Sequence, residues 1–432
     1  MNYEIIARDV KADSFQMAGL PEKIRNEALK QIAHDLKTSQ DQIFFANKKD
    51  LAKAQSDNIA MPIYNRLIFD AHKLSDVLSG IQDLIKLDDP LFRTLFRRQL
   101  DEALTLVKVT CPIGVIGVIF ESRPDALVQI SSLCIKSGNC AILKGGSEAT
   151  NTNRALFDII RRAGLTAGLP DGFITLVESR AGIDELLRCH DSIDLLIPRG
   201  SNQFVQYIME NSKIPVMGHA DGICHIYVDK QADIAKAIPI IMDSKTQYVA
   251  ACNTVETLLI HKEIANTILP LLKSAATEKV TLIGDTATCK AIQCAPATEA
   301  DFRTEYLDYI LSIRIVDRLA DAISHINRYG SHHTDCIITE DAAVADQFMS
   351  NVDSAGVYQN CSTRFADGFR YGFGAEVGIS TSKLHARGPV GLDGLVTYKY
   401  KLFGNGQIVA DYAEGRSTFN FKELAIETGR NG

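Results

Sequence analysis

The chain has 432 residues, of which 46% are hydrophobic and 23% charged, and its formal net charge is −7. This length predicts two or three domains, and an acidic balance without a Lys/Arg block argues against nucleic acid as the main partner. No apolar run approaches the roughly 18 residues that span a membrane, and the N-terminus lacks a secretory apolar core, so we expect a soluble, cytoplasmic protein.

The segment before residue 90 has the spacing of amphipathic helices. Ile24, Ala28, Ile32 and Leu36 form one apolar stripe, and a similar stripe runs over residues 67–84. The period then changes, since residues 104–109 alternate and residues 115–120 are almost continuously apolar. We therefore predict that a helical start leads into strands.

From residue 115 onward, short apolar runs alternate with helical stretches. The predicted strands cover residues 141–143, 173–177, 195–197, 214–217, 226–228, 257–260, 280–283, 310–316 and 336–339. Apolar strands separated by helices are typical of parallel sheets covered on both faces. We predict two α/β domains that meet near residue 229. The alternating segment 395–412 is either an edge strand in a partner's sheet or a plain C-terminal strand.

The ten cysteines are scattered, without a CxxC pair or a zinc-like spacing, which indicates reduced thiols and no metal site. The adjacent His332 and His333 are interpreted as a loop pair, because neighbouring side chains diverge on a regular element. Cys252 differs from the other thiols. It follows two alanines, precedes Asn253, and leads into an apolar strand, as a rigid but accessible nucleophile would.

Two strand-to-helix turns could face phosphate groups, although neither GxGxxG nor a Walker A motif is present. Lys144 ends one predicted strand and is followed by Gly145 and Gly146 before a helix. Gly200 and Ser201 follow a second strand in the same way. Glycines before a helix N-terminus let the backbone approach a phosphate closely.

Five motifs together resemble the γ-glutamyl phosphate reductase family, a branch of the aldehyde dehydrogenase superfamily. They are FESRP, KGGSEA, IPRGS, the cysteine of AACN, and HARGP, and they occur in the family's order over nearly the whole chain. The resemblance implies an aldehyde dehydrogenase-like α/β fold with two parallel-sheet domains and a small β-hairpin for oligomerisation. The implied parts are a cofactor domain over residues 1–228, a catalytic domain over 229–372, and an oligomerisation element from 92–110 and 395–415.

The resemblance also implies the reaction, in which NADPH reduces L-glutamyl 5-phosphate to L-glutamate 5-semialdehyde and phosphate. Cys252 matches the nucleophile, and Lys144 matches the lysine for the adenosine ribose or its phosphate. Gly200 and Ser201 match the pyrophosphate turn, and Glu305 matches the glutamate for the nicotinamide ribose. A homo-oligomer and a functional contact with glutamate 5-kinase are further expectations.

Two departures from the wider superfamily bear on chemistry. NAD-specific relatives carry an acid three residues after the strand-end lysine, where this chain has Ser147, so NADP(H) is favoured, although Glu148 lies one residue further on. Hydrolytic relatives carry a general-base glutamate in a segment that corresponds here to residues 215–220, which contains no acid. Asp221 is nearest, but in the wrong register. A thioester on Cys252 should therefore react with phosphate or hydride rather than with water.

In the expected mechanism, the Cys252 thiolate attacks the acyl phosphate, and backbone N–H groups, with help from Ser122, stabilise the oxyanion. Cations are needed for the phosphate and the α-carboxylate. The candidates are Arg123, Arg364, Lys383, His385 and Arg387, each of which could equally form a surface ion pair. The alternatives are a hydrolytic semialdehyde dehydrogenase and a binding protein that has lost its chemistry.

Overall fold

The computed structural model describes residues 2–178, 182–218 and 221–426. The chain forms two compact units. The first comprises the described parts of Met1–Gly200, Ile208–Val216 and Gly391–Gly432, and the second those of Ser201–Tyr207 and Met217–Val390.

The α-helices of the described residues are α1 Tyr3–Gly19, α2 Glu22–Thr38, α3 Gln40–Ser56, α4 Met61–Leu67, α5 Ala71–Lys86, α6 Pro124–Lys136, α7 Thr150–Thr166, α8 Gly182–Arg188, α9 Asn202–Asn211, α10 Ile234–Thr246, α11 Lys262–Ala276, α12 Thr286–Ile292, α13 Leu319–Tyr329, α14 Ala342–Asn351 and α15 Val409–Ala413. The strands are β1 Thr94–Asp101, β2 Leu104–Pro112, β3 Val115–Phe120, β4 Cys140–Gly145, β5 Ile174–Val177, β6 Leu195–Arg199, β7 Cys224–Val228, β8 Val255–His261, β9 Thr281–Gly284, β10 Ala295–Pro296, β11 Ile310–Val316, β12 Thr334–Ile338, β13 Gly356–Gln359, β14 Gly378–Ser380, β15 Gly388–Val390, β16 Val396–Phe403 and β17 Lys422–Leu424.

The first unit contains a parallel sheet in the order β5-β4-β3-β6. All six residues of β3 are buried, as a continuous apolar run in a sheet covered on both faces requires. The register places Phe120 beside both Gly145 and Arg199. The loops after β3, β4 and β6 therefore leave the sheet at one carboxyl edge, where α/β sheets bind ligands.

The same unit contains an antiparallel sheet in the order β16-β2-β1-β17. β1 and β2 form a hairpin, whose turn includes Ala103 at a φ of 55°. β16 pairs with β2 of its own chain from Val396 to Phe403, so this segment forms an edge strand of its own subunit's sheet. The C-terminal strand predicted in segment 395–412 is thus present, at the edge of this sheet.

The second unit is built on a seven-stranded parallel sheet in the order β10-β9-β11-β8-β7-β12-β13. Ile226, Leu258 and Ile313 belong to an apolar cluster with α10 and α11. Tyr227 and Leu259, which alternate with those residues along β7 and β8, belong to a second cluster with α13 and α14. Helices thus cover both faces of this sheet, and the predicted α/β class with two parallel sheets is confirmed.

Local details differ from the sequence prediction at three places. Residues 214–217 make only one bridge, between Val216 and Leu196, because proline at 215 cannot donate to a ladder. The helical stripe over 67–84 is interrupted before Asp70, whose side chain accepts from the Lys73 N–H at 2.9 Å and begins α5. β7, which ends at residue 228, pairs with β8 and β12, so it lies in the second unit rather than in the predicted 1–228 domain.

Candidate functional site

Cys252 lies at the amino edge of the seven-stranded sheet. Strands β8, β7 and β12 are adjacent and parallel in this sheet. Cys252 lies three residues before β8, Gly222 lies two residues before β7, and His333 immediately precedes β12. Because the amino ends of parallel strands meet at one edge, three distant parts of the chain converge around the thiol.

The turn that carries Cys252 is tightly held by hydrogen bonds. The Thr254 N–H donates to the Ala251 carbonyl at 2.9 Å, and the Asn253 side chain donates to the Ala366 carbonyl at 2.8 Å. The Thr363 hydroxyl donates to the Asn253 carbonyl at 2.7 Å. These bonds fix the backbone on both sides of a partly exposed thiol, as the predicted nucleophile requires.

Gly222 lies directly against the Cys252 backbone. A Cβ atom at this position would come within 2.2 Å of the Cys252 carbonyl oxygen and 2.4 Å of its Cα. Backbone atoms cannot yield as the end of a flexible side chain can. Glycine is therefore required here for close approach, and it helps to set the position of the thiol.

His333 contacts Cys252 directly. Its Nε2 lies 3.2 Å from the Cys252 Sγ, and its Nδ1 lies 2.9 Å from the Thr334 hydroxyl. The His333 side chain is almost fully buried. The interpretation of His332 and His333 as a loop pair does not predict this contact. The sequence does show that His333 directly precedes a buried strand. That position predicts a contact with Cys252 only when the strand order β8-β7-β12 is known.

Arg364 provides a buried positive charge near the thiol. Its Nε donates to the Gln247 side chain at 2.9 Å, in the segment that joins α10 to Cys252. Burial, and then the charge of Arg370, lower the pKa of the Arg364 guanidinium, while interaction with Cys252 opposes that shift. Arg364, one of the predicted cations, thus interacts electrostatically with Cys252 in this structure.

A buried ion pair brackets the same turn. Lys245, in the last turn of α10, donates to Glu256 of β8 at 2.6 Å, and both side chains are fully buried. Burial lowers the pKa of Lys245 and raises the pKa of Glu256 to about 7. The pair connects the two elements between which Cys252 lies.

The predicted cations of the HARGP segment form a separate group. Arg387 contacts the Asp353 carboxylate at 3.0 Å, and Lys383 contacts it at 2.7 Å. Lys383 and Arg387 hold the pKa of Asp353 below its ordinary value. The exposed His385 lies between the two basic residues in sequence. In this structure Asp353 pairs with both Lys383 and Arg387, so it offsets one of the two positive charges of this group.

Glu305 and Ser201 both belong to the second unit. The Glu305 carboxylate accepts from the Asn202 side-chain amide at 2.6 Å, and Ser201 directly precedes that residue. The same amide donates to Asp221 at 2.8 Å. Asn202 therefore bridges the predicted ribose-binding glutamate and the carboxylate that follows the acid-free segment 215–220. His219 and Ala220 of that segment lie outside the described residues.

The other predicted cofactor residues lie at the carboxyl edge of the first unit's sheet. Lys144 is the fifth residue of β4, and its Nζ donates to the Gly145 carbonyl at 2.8 Å. Ser147 begins a 3-10 turn before α7, and Gly200 follows β6. The exposed Arg123 directly precedes α6.

Ser122 and Glu148 are joined at this edge. Glu148 accepts from the Ser122 backbone N–H at 2.6 Å and from its hydroxyl at 2.8 Å. These bonds hold Ser122 at a φ of 50°, a left-handed conformation that is uncommon for a residue with a side chain. Ser122 thus fixes the Glu148 carboxylate, which gives its hydroxyl a role other than the predicted oxyanion contact.

Among the described residues, no group of three or more His, Cys, Asp or Glu side chains is arranged to hold a metal ion. None of the helices described is long and apolar enough to cross a membrane.

Comparisons with known proteins identify the family of this chain. Residues 5–310 match the model of the aldehyde dehydrogenase family. A γ-glutamyl phosphate reductase of Acetivibrio thermocellus is 57% identical over 98% of this chain and 99% of its own length. γ-Glutamyl phosphate reductase 1 of Synechocystis is 55% identical over 97% of both chains.

A crystal structure shows the same likeness in three dimensions. The γ-glutamyl phosphate reductase of Thermotoga maritima superposes with a TM-score of 0.92, at 36% identity, over 94% of this chain and all of that chain. The sequence identity to these relatives extends over nearly the full length of the chain, including the Cys252 turn and the segments that form both parallel sheets. This chain therefore belongs to the aldehyde dehydrogenase family, in its γ-glutamyl phosphate reductase branch.

Proposed function

We propose that this chain reduces L-glutamyl 5-phosphate to L-glutamate 5-semialdehyde and phosphate with NADPH, the second step of proline biosynthesis. The observation that carries the proposal is the Cys252 turn, which presents a partly exposed thiol on a rigid backbone beside Arg364. The near full-length relatives named γ-glutamyl phosphate reductase support the same substrate.

The chain's own residues account for the covalent step. The Cys252 thiolate attacks the carbonyl carbon of the acyl phosphate, a C–S bond forms, and the C–O bond to phosphate breaks. Backbone N–H groups of the Cys252 turn stabilise the oxyanion. Segment 215–220 has no acid to activate water, so the thioester persists until it is reduced.

The predicted cofactor residues fit a nucleotide with a 2′-phosphate. Lys144 supplies a positive charge at the carboxyl edge of the first sheet, and Ser147 adds no negative charge. Glu148 accepts hydrogen bonds from Ser122, which restrain a carboxylate that could oppose this preference. We assign Lys144, Ser147, Gly200, Ser201 and Glu305 to this cofactor, which supplies a hydride to the thioester when bound.

We assign the substrate's anionic groups to the predicted cations. Arg364 suits the leaving phosphate, because its charge already interacts with Cys252. Arg123, His385 and Arg387 are proposed for the remaining anionic groups. Substrate would have to compete with Asp353 for Arg387, and the exchange of one carboxylate for another conserves the ion pair.

We further propose that the enzyme acts as a cytoplasmic homo-oligomer. The edge strand β16 exposes Tyr398, Tyr400 and Leu402, an apolar surface suited to a second copy. A functional contact with glutamate 5-kinase would deliver a reactive acyl phosphate directly to Cys252.

One assay separates this function from its alternatives. The protein is given glutamate 5-semialdehyde and NADP⁺, with and without inorganic phosphate, and NADPH is followed by absorbance. We expect continuous NADPH formation that requires phosphate and is lost in Cys252→Ser. Turnover without phosphate would instead identify a hydrolytic dehydrogenase, and no turnover under either condition would indicate a binding protein.

A further inference from the structure

We propose that His333 is a catalytic residue that takes the proton from Cys252 and holds the resulting thiolate as an ion pair. The inference extends the proposed function, since the same thiolate would attack the acyl phosphate. His333 belongs to none of the sequence motifs that predicted the site. It lies beside the thiol because β12 is adjacent to β7, and β7 is adjacent to β8.

The geometry suits proton transfer between the two side chains. The Nε2 of His333 lies 3.2 Å from the Cys252 Sγ, within the range of a hydrogen bond to sulfur. The Thr334 hydroxyl, 2.9 Å from Nδ1, accepts from that nitrogen whether the ring is neutral or charged, and in the neutral ring this tautomer directs the Nε2 lone pair at the Cys252 thiol. Both protonation states of the imidazole therefore retain a partner on the side away from the thiol.

The groups around the pair favour a charge on Cys252 rather than on its neighbours. The Cys224 thiol lies 3.8 Å from the His333 Nδ1, but burial raises its pKa well above the ordinary value, so it stays protonated. It donates instead to the Cys252 carbonyl at 3.3 Å. Arg364 adds a positive charge that interacts with Cys252. A thiolate on Cys252 is thus stabilised by His333 on one side and by Arg364.

The proton balance of the proposed step is simple. The Cys252 S–H bond breaks, its electron pair stays on sulfur, and the proton binds the His333 Nε2. When the thiolate attacks the acyl phosphate, the departing phosphate becomes more basic and takes one proton. Hydride addition and collapse then return Cys252 as a thiolate, so the imidazolium needs only one new proton in each turnover.

The rate of Cys252 alkylation by iodoacetamide, measured against pH, tests the pair without substrate or cofactor. Mass spectrometry of the Cys252 peptide separates this thiol from the other nine. In the unmodified protein, we expect the rate to rise with an inflection well below the roughly 8.5 of an ordinary cysteine. A single inflection at that ordinary value would overturn the proposal.

Variants locate the effect at His333. His333→Gln should slow Cys252 alkylation at pH 6.5 at least tenfold, and added imidazole should restore part of the rate in His333→Ala. Thr334→Val, which removes only the Nδ1 partner, should give a smaller loss. His332→Gln is the matched control, because the His332 ring contacts the Asp353 carbonyl instead of the thiol.

Outcomes for the pair and for the proposed function remain distinguishable. An unchanged alkylation profile in a folded His333→Gln protein would refute the pair, whatever the phosphate assay shows. Loss of phosphate-dependent turnover with an intact alkylation shift would refute the substrate assignment alone. If His333→Gln does not fold, the pair is still tested by the pH dependence of Cys252 alkylation in the unmodified protein and in Thr334→Val.

Discussion

At the scale of single residues, the site depends on how closely Gly222 approaches Cys252. A side chain at Gly222 would collide with main-chain atoms of the nucleophile rather than with a movable side chain. The thiol would then move relative to both His333 and the substrate carbonyl. Reaction rates respond steeply to such displacements, because catalysis depends on the alignment of the reacting atoms.

Gly222→Ala should therefore lower kcat/KM about 100-fold, the order of loss expected for a displacement of about 1 Å. Binding of NADPH, measured by fluorescence titration, should stay within about twofold, because the predicted cofactor residues lie elsewhere. Gly80→Ala is the control, since a Cβ there, within α5, meets no neighbouring atom. Wild-type kinetics in Gly222→Ala would show that the turn tolerates the added methyl group.

Only some residues of this site could be predicted from the sequence. Cys252 could be predicted locally, because small residues before it and a strand after it are visible in the chain. His333 could not, because it is 81 residues further along and meets the thiol only across two strands. The pairing of Arg387 with Asp353 was equally hidden, since nothing in local spacing indicates which carboxylate a cation contacts.

At the scale of elements, the buried pair Lys245–Glu256 joins α10 to β8 around the nucleophile turn. Removing one member of such a pair leaves an uncompensated buried charge, whereas replacing both by apolar residues does not. The pair can therefore be tested separately from the chemistry of Cys252.

Lys245→Met should destabilise the protein by about 3–5 kcal/mol, the usual cost of leaving a charge buried without its partner. Lys245→Met/Glu256→Leu should recover most of that loss. Urea denaturation followed by circular dichroism measures both. Lys236→Met, which breaks an exposed pair with Glu340, should barely change the midpoint. Equal midpoints for the single and double variants would contradict this account.

The sequence predicted most of these elements but not their arrangement. Continuous apolar runs such as Val115–Phe120 correctly indicated buried parallel strands. Proline at 215 limited one such run to a single bridge, and the order of seven strands could not be read from periodicity. Strand order depends on packing between distant segments, so it becomes visible only in three dimensions.

At the scale of the whole molecule, the edge strand β16 is the surface on which assembly is expected to depend. Tyr398, Tyr400 and Leu402 are each at least half exposed, in an alternating pattern that the sequence had already revealed. Alternation alone could not decide whether the strand pairs within its chain or with a partner. The structure shows that β16 pairs with β2 of its own chain.

Tyr400→Glu/Leu402→Glu should dissociate the proposed homo-oligomer, because charged side chains would have to lose their hydration to enter the interface. Size-exclusion chromatography with light scattering measures the mass. Lys236→Glu, in the second unit, supplies a control for an added surface charge. An unchanged mass in the double variant would place the interface on another surface, and a monomeric unmodified protein would refute assembly.

A thioester on Cys252 should react with phosphate or with hydride, and not with water. Mixing the enzyme with glutamate 5-semialdehyde and NADP⁺ in the absence of phosphate tests this expectation most directly. We expect a burst of about one NADPH per active site, a glutamyl adduct on Cys252 by mass spectrometry, and rapid release of that adduct when phosphate is added. Continuous NADPH production without phosphate, or an adduct on any other residue, would contradict this expectation.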